Sequence, residues 1–156
     1  MALTESTLAS ELEALVPTTD AAAAVQTLAD AYAAYMDGAS SDGVPIQNTA
    51  TAATAMAGAM SFPTAGTASG AGTALSAGVQ AFWAAMVAAP ATYFPAATVI
   101  TPPAALAALA AALTTVFGDN VGSTLEDSAA AMAGVIHTAS LGGTATFPGP
   151  RVTAIA

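Results

Sequence analysis

Apolar side chains recur at intervals of three and four residues in six segments of the chain, the spacing that places them on one face of an α-helix. In the first segment Leu8, Leu12 and Leu15 share a face, and in the second Val25 and Tyr32 belong to one stripe. The predicted helices cover residues 5–16, 20–37, 47–60, 73–89, 101–118 and 124–139.

Residues that favour helix starts support these bounds. Thr4, Thr19 and Thr101 each stand before a predicted helix, where a hydroxyl can accept a hydrogen bond from an N–H of the first turn. Ser123 and Glu126 have the spacing of a capping box for the last helix. The predicted helices therefore have capping residues at their starts as well as apolar residues at helical spacing.

Two segments between the predicted helices have the composition of irregular structure. Residues 38–46 are predicted to be a loop, and the Gly, Ala, Ser and Thr residues of segment 64–72 predict a linker. Gly70 and Gly72 superficially suggest a phosphate-binding loop, but they follow no predicted strand and lack both a third glycine and a lysine. No cofactor is expected there.

The two halves of the helical region resemble each other. The sequence AMAGAM at residues 55–60 recurs as AMAGVI at residues 131–136, and the apolar stripes of the preceding helices match in the same order. We predict an all-α fold, a single helical domain of residues 1–139 in which similar three-helix units, 1–63 and 73–139, form a six-helix bundle.

Composition changes this picture in two respects. The chain contains 46 alanines and 21 threonines but only one tryptophan, so its core must depend on close approach of helices. Its formal net charge is −9, with Arg151 as the single cation of fixed charge. Nucleic-acid affinity requires several Lys or Arg contacts, so no nucleic-acid partner is expected.

Residues 104–118 fall short of the roughly 20 apolar residues of a membrane span, so no membrane partner is expected either.

Few residues offer chemistry. His137 could act as a general base only beside a nucleophile and an orienting carboxylate, and an interaction with the carbonyls at its helix end is the simpler interpretation. Asp37, Ser40, Ser41 and Asp42 supply oxygens without the spacing of an EF-hand, so a capped loop is favoured over a metal site.

Acidic residues are concentrated in the first predicted helices. They are Glu5, Glu11, Glu13, Asp20 and Asp30. A paired-carboxylate hydrolase needs two carboxyl groups facing each other across a cleft, whereas these acids occupy helix positions expected to face solvent. We therefore predict a non-enzymatic protein without metal or cofactor, whose acidic face can meet a basic partner.

The C-terminal segment, residues 140–156, is predicted to be an extended arm that contacts a partner protein. The residues expected to make this contact are Phe147, Pro148, Arg151, Val152 and Ile155. Arg151 is expected to form a salt bridge with an acidic patch on a neighbouring subunit. The alternative, an arm that packs on its own chain or frays, stays open at this point.

Aromatic residues near the middle of the chain suggest a different function. Trp83, Tyr93 and Phe94 could form a stacking platform for a carbohydrate or another small ligand. Core packing is the simpler expectation for these side chains.

The sequence from Ile136 to Pro150, IHTASLGGTATFPGP, resembles small Ala/Thr-rich virion proteins encoded among the tail and baseplate genes of tailed bacteriophages. The alanine-rich helices before it and the opening MALTESTLASEL add to this resemblance. The resemblance implies a structural subunit of the virion, in the tail or baseplate, that contacts other virion proteins in a symmetric multi-copy assembly. A capsid decoration protein is the alternative.

Overall fold

The fold is dominated by helices and also contains two small antiparallel sheets. The computed structural model describes residues 3–15, 20–62, 66–120, 123–149 and 151–156. The helices are α1 Glu5–Glu13, α2 Ala21–Met36, α3 Thr49–Ala59, α4 Ala68–Ala88, α5 Pro90–Tyr93, α6 Leu109–Asp119 and α7 Leu125–Ser140, with a 3-10 helix at Ala104–Ala108. The strands are β1 Ser40–Ser41, β2 Val44–Pro45, β3 Val99–Thr101, β4 Thr144–Phe147 and β5 Arg151–Ala154. The all-α prediction is therefore wrong in its strict form.

Side-chain caps begin several helices. The Thr4 hydroxyl accepts from the N–H of Thr7, as predicted, and the Asp20 carboxylate caps α2. Thr19, the predicted cap of that helix, lies outside the described residues. At α7 the cap is Thr124 instead of Ser123, because the Thr124 hydroxyl both accepts from the backbone N–H of Asp127 and donates to its carboxylate.

Helix α4 begins within the predicted linker. Thr67 caps it through a 3.0 Å hydrogen bond from the N–H of Gly70, so the helix starts five residues before its predicted start at Thr73. Gly72 packs against α6, where an added Cβ would lie 2.8 Å from the backbone nitrogen of Thr114. Gly72 therefore permits close helix packing, and the predicted linker is wrong from residue 68 onward, where α4 begins.

The long helices pack in pairs that match the predicted repeat. Contacts join α1 to α2 and α4 to α6, α2 to α3 and α6 to α7, and α1 to α7 and α4 to α3. If α1, α2 and α3 correspond to α4, α6 and α7, each of these contacts has a counterpart in the other half. The duplication and the six-helix bundle themselves stay predictions.

The predicted C-terminal arm is not a free extended segment. Strand β4 pairs with β3 on one side and with β5 on the other, all antiparallel. Thr101 ends β3 and does not cap a helix, since residues that precede a proline favour extended backbone and Pro102 and Pro103 follow in succession. Helix α6 starts only at Leu109, after the 3-10 helix.

The predicted loop at residues 38–46 contains the hairpin of β1 and β2. Its turn residues Asp42 and Gly43 have φ of 54° and 75°, the left-handed conformation of a type I′ turn. Ser40 exchanges two backbone hydrogen bonds with Ala156, which attaches the hairpin to the C-terminus.

By length and composition α4 is able to cross a membrane. Half of its most apolar window is buried inside the protein, between α3 and α6, and core helices meet the same criteria.

Candidate interaction surface

The three-stranded sheet presents one face to the core and the other to the outside. Side chains alternate along β4, so that Ala145 and Phe147 point inward and are buried. The opposite face carries two cross-strand rows. They are Val99, Thr146 and Val152, and Thr101, Thr144 and Ala154.

This outer face is uncharged and partly apolar. Val152 is 63% exposed and Val99 is 51% exposed, although both are large hydrophobic residues. They flank Thr146 in a single row across the sheet. Exposed apolar side chains grouped on one regular surface are a feature of protein contact sites.

The structure divides the five residues predicted to contact a partner. Pro148, Arg151 and Val152 are exposed, whereas Phe147 and Ile155 are 4% and 1% exposed. The two buried residues belong to the hydrophobic core of this chain. Only the exposed three therefore remain as contact residues.

Arg151 forms its salt bridge within its own chain. Its guanidinium lies 2.6 Å from the carboxylate of Asp42 in the β1–β2 turn. The Ser41 hydroxyl is also 2.6 Å from the hydroxyl of Thr153 on β5. These contacts attach the hairpin to β5, and the predicted salt bridge to a neighbouring subunit is thus replaced by an intrachain one.

Beneath the sheet lies a buried chain of polar contacts. The indole N–H of Trp83 donates to the Tyr32 hydroxyl at 3.0 Å, and that hydroxyl lies 2.8 Å from the Ser140 hydroxyl. Gly143, which leads into β4, covers the indole so closely that a Cβ there would lie 2.6 Å from the ring. These hydrogen bonds join α4, α2 and α7 at the point where the sheet begins.

The aromatic stacking platform is excluded by burial. Trp83, Tyr93 and Phe94 are 1%, 2% and 0% exposed, so none of them offers a ring face to a ligand. Sequence reasoning missed the hydrogen-bond partner of Trp83, which is Tyr32, although Tyr32 and Tyr35 are three residues apart on α2 and share a helix face.

His137 is paired with a phenol. Its Nδ1 lies 2.8 Å from the Tyr35 hydroxyl, and the two rings meet edge to face. Within the described parts of the chain its ring has no hydrogen bond to a carboxylate. The arrangement needed for a general base is therefore not assembled around His137.

The oxygens of the predicted capped loop are used internally. Asp37 accepts a 2.5 Å hydrogen bond from the Thr49 hydroxyl, and Asp42 pairs with Arg151. Among the described residues no group of three His, Asp or Glu side chains is placed to hold a metal ion. The acidic side chains of α1 and α2 are exposed, apart from the partly buried Glu11.

Burial raises the pKa of all three tyrosines. Desolvation raises the pKa of Tyr32 to about 12, although its contacts with Ser140 and Trp83 act in the opposite direction. Desolvation also raises the pKa of Tyr35, with a further contribution from Tyr32, and it raises the pKa of Tyr93. Folding therefore favours the neutral phenols.

We expect the free energy of unfolding to fall as the pH rises from about 10 to about 12. A pKa that is higher in the folded state than the unfolded value of 10.0 gives stability that is complete below pH 10 and is lost above it. The chain has neither lysine nor cysteine to titrate in this range. Urea unfolding by circular dichroism, with tyrosinate absorbance followed in parallel, measures the effect. Half-ionised phenols at pH 10 in the folded protein would contradict it.

No family model, curated protein or solved structure matches this chain. Its function is therefore inferred from its own residues and geometry. The features available are the uncharged sheet face, the buried polar chain beneath it and the grooves between the helices.

Proposed function

We propose that this protein is a non-enzymatic structural subunit of a bacteriophage particle, in the tail or baseplate, that contacts other virion proteins through the outer face of its C-terminal sheet. The observation that carries this proposal is the exposure of Val99 and Val152 on either side of Thr146. The resemblance of residues 136–150 to virion proteins supports it, since that segment includes all of β4.

The distribution of charge also favours the outer sheet face as the contact surface. Each copy has a formal net charge of −9, so copies packed side by side repel one another where acidic residues face each other. The six outward side chains of the sheet carry no charge. Contact through this face does not bring negative charges together. A multi-copy assembly of acidic subunits requires contacts of this kind.

The helical region acts in this proposal as a rigid support. In this proposal two similar three-helix units pack as a six-helix bundle, and the contacts of α1 with α7 and of α4 with α3 support it. Alanine and glycine at the contacts bring the backbones close together, which fixes the orientation of the sheet relative to the helices.

The test is incorporation into particles. We expect Val152→Asp, supplied in trans during infection by phage lacking the wild-type gene, to reduce the amount of protein in purified particles by about tenfold, because a buried unpaired carboxylate disfavours the contact. Val99→Asp, on a different strand of the same face, is expected to do the same.

Leu125→Asp is the matched control. Leu125 is 57% exposed, comparable to Val152, but it begins α7, at the opposite end of that helix from the sheet. An aspartate at a helix start is well tolerated. Equal incorporation of all three variants, each with unchanged circular dichroism, would exclude this face. Deleting the C-terminal segment is a poorer test, because it removes Phe147 and Ile155 from the core.

A further inference from the structure

An open groove of about 610 Å³ runs between α7 on one side and the 3-10 helix and α6 on the other. Most of its lining is alanine and glycine. The larger side chains among its described lining residues are Glu5, Leu109, Val135 and Thr138. This surface is separate from the sheet face.

The small residues follow the spacing of helix faces on both walls. Ala105, Ala108 and Ala112 lie along one wall, and Ala130 and Gly134 lie one turn apart along the other. Ala105, Ala108 and Ala130 are exposed. Side chains this small keep the floor of the groove low, so that the backbone of another helix can approach closely.

One acidic side chain, Glu5, is among the described residues that line this apolar groove. A carboxylate oxygen of Glu5 lies over Gly134, 3.2 Å from where a Cβ would stand. Asp119 follows Ala112 by two helical turns, and Glu126 precedes Ala130 by one, so both lie on the helix faces that line the groove, but beyond its lining residues. Both of these residues are exposed. The groove is thus apolar within and negative at its edge.

A second copy of this chain is unsuited to fill the groove. The sequence contains no lysine, and its one arginine, Arg151, already pairs with Asp42. Two copies of the groove placed against each other would bring Glu5 and its equivalent into the same apolar contact. The occupant must supply the positive charge that this chain lacks.

We infer that the groove between α6 and α7 binds an amphipathic helix from a different protein, one that carries a stripe of apolar residues flanked by lysine or arginine. Its apolar stripe lies on the alanine floor, and its cations meet Glu5 and, beyond the lining residues, Asp119 and Glu126. This inference goes beyond the proposed function, because it does not require the protein to be part of a virion.

A second groove gives an internal control. It has about 590 Å³ and lies between α2 and α3, which correspond to α6 and α7 in the predicted repeat. Gly58 occupies the position in AMAGAM that Gly134 occupies in AMAGVI, but a Cβ on Gly58 meets nothing within 4 Å. None of the described residues that line this second groove is acidic or basic.

The probe is a synthetic amphipathic helix with a leucine stripe flanked by lysines, and its partner is the same peptide with each lysine replaced by glutamate. Fluorescence anisotropy with the full chain measures binding. We expect the lysine peptide to bind, with an affinity that decreases as salt is added, and the glutamate peptide to bind at least about tenfold more weakly.

Variants locate the site. Gly134→Leu and Ala130→Leu each fill the groove and are expected to weaken binding about tenfold or more; Ala130 is exposed on the same helix. Gly58→Leu, in the second groove, is expected to leave binding unchanged. Glu5→Gln is expected to weaken binding about threefold, and Glu13→Gln, which removes the same charge from the exposed end of α1, to have no effect.

Three results would overturn the inference. They are the absence of binding by the lysine peptide, equal binding of the two peptides, and binding that Ala130→Leu and Gly134→Leu leave unchanged while both variants remain folded by circular dichroism. Because the purified chain suffices, the outcome is independent of incorporation into particles. The proposed function can therefore fail while this site is confirmed, and the reverse also holds.

Discussion

Gly72→Ala is expected to lower the free energy of unfolding by about 3 kcal/mol, although alanine is the better helix former. A Cβ at this position would lie 2.8 Å from the backbone nitrogen of Thr114 and 2.9 Å from the carbonyl oxygen of Ala110. Backbone atoms cannot rotate away as a flexible side chain can. Helices α4 and α6 would have to separate, which loosens the contact between the two helices along its length.

Gly58→Ala is the matched control, and its expected effect has the opposite sign. Gly58 is also inside a helix, but a Cβ there meets nothing within 4 Å, so the substitution is expected to stabilise the protein by about 1 kcal/mol through helix propensity. Urea unfolding, followed by the helical circular dichroism signal, gives the change in the free energy of unfolding for both variants. Equal changes in the two variants would show that α4 and α6 are farther apart than the structure has them.

Tyr32→Phe is expected to lower the free energy of unfolding by about 2–4 kcal/mol. The ring is retained, so the loss comes from two buried groups, the Trp83 indole N–H and the Ser140 hydroxyl, that lose their shared partner. Trp83 is 1% exposed and Ser140 is 0% exposed, so water cannot readily replace the phenol. Each unsatisfied group costs about 1–3 kcal/mol.

Tyr93→Phe is the control for this second prediction. The Tyr93 ring is as buried as that of Tyr32, but its hydroxyl makes no hydrogen bond within the described residues, so a change below about 0.5 kcal/mol is expected. Adding Trp83→Phe to Tyr32→Phe measures the coupling between the indole and the phenol. A stability loss as small in Tyr32→Phe as in Tyr93→Phe would mean that the buried chain is not formed.

Local sequence patterns predicted most of the helices, because apolar periodicity and capping are short-range properties. The stripe of Leu8 and Leu12 is buried, as predicted, and Thr4 caps α1. The linker predicted from glycine content at residues 64–72 is wrong from residue 68 onward, where α4 begins. Whether a glycine loosens a segment or permits close packing depends on what faces it, and Gly72 faces α6.

Two errors had a usable warning in the sequence. Asp42–Gly43 is a typical type I′ turn pair, and it forms the β1–β2 turn within the predicted loop. The consecutive prolines Pro102 and Pro103 oppose helical backbone at Thr101, which lies in β3. Both warnings were local. The β1–β2 hairpin is local as well, whereas β3 pairs with β4, more than 40 residues away in the chain.

By itself the sequence determined that this chain is largely helical, short of large side chains and strongly acidic, since composition and periodicity act within a few residues. Only the tertiary structure decided that the last residues form a sheet on their own chain, that Arg151 pairs with Asp42, and that Trp83, Tyr32 and Ser140 share one buried set of hydrogen bonds. The salt bridge and the buried hydrogen bonds join residues 51 to 109 positions apart, and no local preference specifies which distant groups meet. Their partners are selected when the helices pack and each buried polar group must find another.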